Sequence, residues 1–131
     1  MITSLEQIYT PDAPNLIEKG FSQGIKTSNL IFVAGQMGFL PDTGEMISLT
    51  DVEAQTFQVM TNIGAILRAE NLSFGNIAKT TIFMTDITNY DKINKVYKSF
   101  FTDFYPARST IQVAALADTR ALVEIEVIAA L

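Results

Sequence analysis

Two residue types that often carry chemistry are missing from this chain of 131 residues, which has no cysteine and no histidine. Without cysteine there are no disulfides, thiol nucleophiles or thiolate metal sites. Without histidine, the usual general base, Ser-His triads and most zinc sites are excluded as well. We therefore expect neither a metal nor a cofactor, and any catalysis has to rely on other side chains.

Charge is also scarce, at 18% of residues against roughly 25% in an ordinary soluble domain. The formal net charge is −5, and no basic cluster is longer than a residue or two. Nucleic acid and acidic membrane surfaces are therefore not expected as partners. Because 48% of the residues are apolar, a surface so poor in charge leaves apolar area to be covered, which favours a homo-oligomer.

Long apolar runs are missing too. No segment approaches the roughly 18 apolar residues of a membrane span. The N-terminal MITSLEQIYTPDAP lacks the basic and apolar regions of a signal peptide. We expect a cytoplasmic protein with a single domain over residues 1–131.

The first third of the sequence predicts paired strands. Residues 21–27 alternate loosely between apolar and polar, and residues 30–35 (LIFVAG) are continuously apolar. A turn at Ser28-Asn29 separates them, which is the pattern of a β-hairpin. Residues 10–15 (TPDAPN) form a loop that ends a possible additional strand at the N-terminus.

A turn and a long helix follow the hairpin. Residues 41–44 (PDTG) have Pro, Asp and Gly at the positions that a turn favours. From Asp51 to Asn71 the apolar residues recur at three- and four-residue steps. This spacing predicts an amphipathic helix of about five turns that Thr50 or Asp51 caps.

The second half predicts three strands and a second helix. The strands are residues 78–85, 109–114 and 122–129, and the helix begins at residue 89 or 90 and ends at 101, before the break at Tyr105-Pro106. The resulting order β-β-α-β-α-β-β predicts a two-layer α+β domain with a mixed sheet and both helices on one face. The other sheet face would lack a cover, which makes it a candidate subunit interface.

Arg108 is one of three arginines and stands where the chain enters a strand that we interpret as buried, in YPARSTIQVAAL. Pro106 ends the preceding helix and Ala107 is small, so the guanidinium can lie at a pocket edge and hold a carboxylate through two hydrogen bonds. The alternative is an ion pair with one of the 14 acidic residues of the chain itself.

Two further motifs allow a functional and a structural interpretation. Glu124 and Glu126 share one strand face in VEIEVI. Either they simply face solvent, or Glu124, near the strand start, points into a cleft and orients a water. The glycines of GQMGFLPDTGE can let backbone approach a ligand, or can simply make turns, and the Walker spacing is absent.

The second helix offers one polar candidate. Asn94 interrupts an apolar face formed by Ile93, Val96 and Tyr97. It is either a buried residue whose hydrogen bonds fix a neighbouring loop or a solvated position. The tyrosines are interpreted as packing residues and not as acids or bases; they are Tyr9, Tyr90, Tyr97 and Tyr105.

Several sequence blocks together resemble the RidA/YjgF family, from about Thr10 to Ala129. They are FSQG (21–24), FVAGQ…PDTGE (32–45), KTTIFMTDI (79–87), INKVYKSFF (93–101), PARS (106–109) and ALVEIEVIA (121–129). The resemblance implies a chorismate-mutase-like α+β fold that assembles as a homotrimer with clefts between subunits. It also implies hydrolysis of 2-imino (enamine) acids, 2-iminobutanoate and 2-iminopropanoate, to 2-keto acids and ammonia.

The resemblance also implies roles for individual residues. Arg108 would hold the substrate carboxylate, and Glu124 would lie near the reacting carbon and a water. Asn94 would support the site. The backbone of Gly35 would line the cleft, and the backbone of Thr110 would contact ligand or water.

The sequence departs from the family pattern at four points. Phe21 stands where the family has a tyrosine, Ala34 where it has a serine and Thr110 where it has a cysteine, and residues 116–120 (LADTR) replace a shorter turn. Losing two hydroxyls makes the expected pocket more apolar at those points. An alternative function is therefore a non-catalytic, regulatory relative that senses small keto or amino acids at the cleft between subunits.

Overall fold

A six-stranded mixed sheet with two helices on one face forms the architecture of the computed structural model, which describes residues 4–131. The strands are β1 (Glu6–Ile8), β2 (Gly24–Lys26), β3 (Leu30–Gln36), β4 (Ile77–Met84), β5 (Ala107–Gln112) and β6 (Val123–Ala130), and the helices are α1 (Val52–Arg68) and α2 (Tyr90–Lys98). The predicted α+β class and element order are confirmed, including the additional N-terminal strand.

The sheet has the strand order β1-β2-β3-β6-β4-β5. All neighbours are antiparallel except β4 and β5, which are parallel because α2 crosses over between them. The predicted hairpin is β2-β3, although β2 has only three residues and not the seven expected. The last strand, β6, therefore lies in the centre of the sheet.

Helix α1 forms as its sequence predicts but is shorter. The Asp51 carboxylate caps it by accepting hydrogen bonds from the backbone N–H groups of Glu53 (3.0 Å) and Ala54 (3.1 Å). The helix ends at Arg68 and not at Asn71, which has a positive φ of 60° and turns the chain away. Its buried face packs on the sheet and contains Val59, Met60, Ile63 and Ile66.

Helix α2 ends at Lys98, one turn earlier than expected, and its buried side chains are Ile93 and Tyr97. The Tyr97 hydroxyl donates a hydrogen bond of 3.0 Å to the hydroxyl of Thr80 on β4. This bond satisfies both polar groups inside the core and fixes α2 against the sheet.

Alternation along the strands separates two sheet faces. The pairs Thr80–Val127 and Ile82–Ile125 point under the helices and are buried. The intervening pairs Phe83–Glu124 and Thr81–Glu126 point to the opposite face. Neither helix covers that face, whose apolar residues include Phe32 and Ile111, each more than 40% exposed.

The interpretation of β5 as a buried strand is wrong. It lies at the edge of the sheet and pairs only with β4, so its residues are exposed or half-buried. The local sequence of β5, ARSTIQ, does not specify which strands become its neighbours. Within residues 4–131, neither helix has the length and apolar character required to cross a membrane.

Candidate functional site

Arg108 is half-buried at the start of β5 and is held by α2. It lies in register with Thr80, so its side chain leaves the sheet on the face that the helices cover. Its Nη1 donates a hydrogen bond of 2.6 Å to Asn94 Oδ1, and its Nη2 donates one of 2.7 Å to the Tyr90 hydroxyl. Tyr90 and Asn94 are four residues apart on one helix face, so both reach the same guanidinium.

Two aromatic rings of α2 also contact this guanidinium. Its central carbon lies 5.1 Å from the ring centroid of Tyr97 and 5.6 Å from that of Tyr90. Both distances are within the range of cation–π attraction. The positive charge of Arg108 is therefore stabilised by neutral groups.

The alternative that Arg108 forms an internal ion pair is wrong. Within residues 4–131, no carboxylate oxygen lies within 4.0 Å of its guanidinium nitrogens. A guanidinium has five N–H donors, and Asn94 and Tyr90 accept from two of them. Donors remain for an external acid group. A pocket of about 280 Å³ adjoins Arg108 and is lined by Asn94, Tyr97, Lys98, Tyr105 and Pro106.

Glu124 lies on the uncovered sheet face, in β6. It is half-buried, and within residues 4–131 its carboxylate has no hydrogen-bond partner or ion pair. Burial, and secondarily the negative charge of Glu126, raise the pKa of Glu124 above that of an ordinary glutamate. The carboxylate lines a pocket of about 260 Å³ whose walls include Phe21, Ala34 and Gly35.

Gly35 is required by the position of Glu124. Pairing of β3 with β6 shifts register between Val33 and Gln36, and Gly35 lies in that irregular segment. A Cβ on Gly35 would lie 2.9 Å from Cδ of Glu124 and still closer to Oε2. The group that comes close to this glycine is the Glu124 side chain of the same chain, and a close approach of a ligand to the Gly35 backbone stays a prediction. Gly44, with a φ of 74°, makes a turn as the alternative proposed.

Gln23 positions the loop beside this pocket and was missed by the sequence analysis. Its buried amide accepts from Thr10 N (2.7 Å) and donates to the carbonyls of Thr10 (2.9 Å) and Ala13 (3.0 Å). These bonds hold the loop from Thr10 to Pro14, and Pro14 lines the pocket. The pattern of the sequence offers no signal for this role, because the partners are backbone groups about ten residues away.

A single chain does not bring all of the expected site residues together. Arg108 and Asn94 belong to the side of the sheet that the helices cover, and Thr110 shares that side through its register with Ile82. Glu124, with Gly35 and Phe21, lines a pocket on the other side. Residues 4–131 contain no group of three or more acidic side chains arranged to hold a metal ion.

Comparison with known proteins gives consistent matches over most of the chain. A family model described as Endoribonuclease L-PSP matches residues 10–131. The Arabidopsis thaliana protein Reactive Intermediate Deaminase A, chloroplastic, is 42% identical over 126 residues, which are 96% of this chain and 66% of that protein. The Homo sapiens 2-iminobutanoate/2-iminopropanoate deaminase is 36% identical over 122 residues, 93% of this chain and 87% of that protein. The crystal structure of E. coli TdcF with bound serine has a TM-score of 0.89 and 39% identity, and covers 96% of this chain and 98% of that one.

Removing the charge of Glu126 tests the electrostatics of the Glu124 pocket. Because the Glu126 carboxylate raises the pKa of Glu124, Glu126→Gln should lower the Glu124 pKa, as measured by carboxyl ¹³C NMR titration. Asp103→Asn, which removes the same charge at an exposed position, should leave it unchanged. An unchanged or raised Glu124 pKa in Glu126→Gln would contradict this description of the pocket.

Proposed function

Because the chain belongs to the RidA/YjgF family, we propose that it is an enzyme that hydrolyses 2-imino acids to 2-keto acids and ammonia. The names of the human and Arabidopsis relatives support this reaction, and the human name makes 2-iminobutanoate and 2-iminopropanoate the first substrates to test. The observation that carries the proposal is the Arg108 guanidinium, which is oriented by neutral partners and paired with no acid among residues 4–131.

In this proposal Arg108 holds the substrate carboxylate. An arginine matches a planar carboxylate with two parallel hydrogen bonds, which fixes orientation as well as position. Asn94 and Tyr90 hold the guanidinium before the ligand arrives, so less rotamer entropy is lost on binding. The backbone of Thr110, two residues along the same strand, contributes a further contact to ligand or water. The serine bound to the similar protein TdcF also carries a carboxylate.

Glu124 acts as the acid–base group. It accepts a proton from a water whose oxygen attacks C2 of the protonated imine, which gives a tetrahedral carbinolamine. Glu124 then returns the proton to the amine nitrogen. As the C–N bond breaks, the hydroxyl of the carbinolamine gives its proton to Glu124, so that ammonia leaves and the 2-keto acid forms. A carboxyl whose pKa is raised toward neutrality suits such transfers better than an ordinary one. The backbone of Gly35 lines the cleft next to this carboxylate.

The site is formed by two chains. Arg108 and Glu124 leave the sheet on opposite faces, so one substrate can meet both only if they come from different copies. The uncovered face around Glu124 carries exposed Phe32 and Ile111, which favours its burial against another copy. A ring in which each chain offers Arg108 to one neighbour and Glu124 to the other is a closed heterologous assembly, and we propose the homotrimer of the family.

The description of the family model suggests a different reaction, RNA cleavage, which the residues favour less. Binding RNA requires a positive surface that neutralises phosphates, and this chain has 9 basic against 14 acidic residues. The chain also lacks histidine, the usual acid–base group near neutral pH. We therefore propose the imine and not RNA as the substrate.

A regulatory role is the second candidate. Phe21 and Ala34 line the Glu124 pocket without the hydroxyls that the family pattern has there. In calorimetry, a sensor should bind 2-oxobutanoate. In an assay coupled to a threonine dehydratase, it should not accelerate the formation of 2-oxobutanoate, whereas a deaminase should.

Arg108→Ala tests the proposed role of the guanidinium. Because the substrate carboxylate then has no guanidinium to bind, the rate of imine hydrolysis in the dehydratase-coupled assay should fall about 10²- to 10⁴-fold, to the uncatalysed rate. Arg68→Ala removes an exposed arginine from α1 and should keep full activity. Full activity in folded Arg108→Ala would refute the proposed site.

Gly35→Ala tests whether the placement of Glu124 matters. The added methyl group displaces the carboxylate, so kcat/KM should fall about 10²-fold, while the fold persists because a flexible side chain can move. Gly75→Ala is the matched control, since its added Cβ would meet nothing closer than 3.6 Å. The thermal unfolding midpoint of Gly35→Ala shows whether the variant is folded. A wild-type kcat/KM in the folded variant would exclude a role in catalysis for the position of this carboxylate.

A further inference from the structure

The pocket of Glu124 opens into a larger groove of about 570 Å³. The two cavities share six lining residues, which are Pro14, Leu16, Phe21, Met37, Phe39 and Ala117. A ligand whose reacting carbon lies near Glu124 can therefore extend into the groove without leaving a continuous apolar surface.

The walls of the groove are apolar, and the charges at its rim largely cancel. Asp118 accepts two hydrogen bonds from the Arg120 guanidinium, at 2.9 and 2.8 Å. Arg120 lowers the pKa of Asp118 to about 2, so the pair stays ionised and neutral overall. The same guanidinium lies 5.2 Å from the ring centroid of Phe39. Lys19, which is exposed, is the remaining charged residue of the lining.

The groove is held open by buried side chains and needs no ligand to form. Gln23 fixes the loop that carries Pro14, as described above. Gln55 fixes the opposite wall, because its amide donates to the carbonyls of Ser48 (2.7 Å) and Arg120 (3.0 Å) and accepts from Leu122 N (2.8 Å). A preformed apolar cavity binds apolar groups without the cost of ordering its walls.

We infer that this groove receives the side chain of the 2-imino acid, and that longer, branched or aromatic apolar side chains are preferred to methyl and ethyl groups. The inference rests on the proposed function, since Glu124 marks the place of C2. The methyl or ethyl group of 2-iminopropanoate or 2-iminobutanoate would leave the groove unfilled. Phe21 in place of a tyrosine makes the junction of the two cavities apolar, which supports the same preference.

The groove can be blocked without touching the Glu124 pocket. Pro41 lines the groove but not the inner pocket, whereas its neighbour Asp42 is exposed and lines neither. Pro41→Trp should fill the groove from its outer wall, and Asp42→Trp is the matched control in the same turn. Neither residue belongs to the proposed catalytic machinery.

Binding of keto acids tests the inference independently of catalysis. By calorimetry, the wild type should bind 4-methyl-2-oxopentanoate at least about tenfold more tightly than 2-oxobutanoate, since each added methylene in an apolar pocket is worth about tenfold or more. Pro41→Trp should remove this preference, keep the 2-oxobutanoate affinity and melt as a folded protein, and Asp42→Trp should resemble the wild type. The same preference should appear in hydrolysis rates of imines generated from leucine and 2-aminobutyrate by an amino-acid oxidase.

The outcomes separate this inference from the proposed function. Any of three results would overturn the inference. The wild type could bind 4-methyl-2-oxopentanoate no more tightly than 2-oxobutanoate, or could bind 2-oxoglutarate more tightly than 4-methyl-2-oxopentanoate. The preference for 4-methyl-2-oxopentanoate could also persist in Pro41→Trp. If the binding preference is found and Pro41→Trp abolishes it, while no imine is hydrolysed faster, the groove assignment holds and the deaminase function fails.

Discussion

The guanidinium of Arg108 is held in place without a counter-charge, and the proposed chemistry depends on this. Its partners are the Asn94 amide, the Tyr90 hydroxyl and two aromatic faces, all of them on α2. Such groups orient a cation but do not neutralise it, so the positive charge remains uncompensated and can attract an external carboxylate. The bond between Tyr97 and Thr80 fixes α2 on the sheet and thereby fixes the position of this cation.

The same sheet register separates the cation from Glu124. Because β5 follows β4 in parallel and β6 pairs with β4 on its other edge, Arg108 aligns with Thr80 and Glu124 with Phe83, on opposite faces. Each face therefore carries one of the two charged residues of the proposed site. Glu124, like Arg108, has no counter-charge among residues 4–131, and its burial raises its pKa. The proposed assembly with other copies would bring these two opposite charges together.

Periodicity and turn chemistry predicted most of the fold but little of the site. The cap at Asp51, the β2-β3 hairpin and the inward-facing Val and Ile of β6 follow from local patterns. Local patterns do not reveal that β5 is an edge strand, since that depends on which strands become neighbours. The sequence alone favours packing for Tyr90, since the hydroxyl at that helix position gains its partner only when β5 places Arg108 beside it. The roles of Gln23 and Gln55 likewise depend on backbone groups brought close only by folding.

Mixing two inactive variants tests most directly whether the site is shared between chains. Arg108→Ala and Glu124→Gln would be refolded together in equal amounts, with differently tagged chains to verify that mixed oligomers form. If each site takes Arg108 from one chain and Glu124 from its neighbour, about a quarter of the sites in random mixed rings regain both groups. We expect about that fraction of wild-type imine hydrolysis in the mixture, and none above the uncatalysed rate in either variant alone. Mixed oligomers that remain inactive would contradict it.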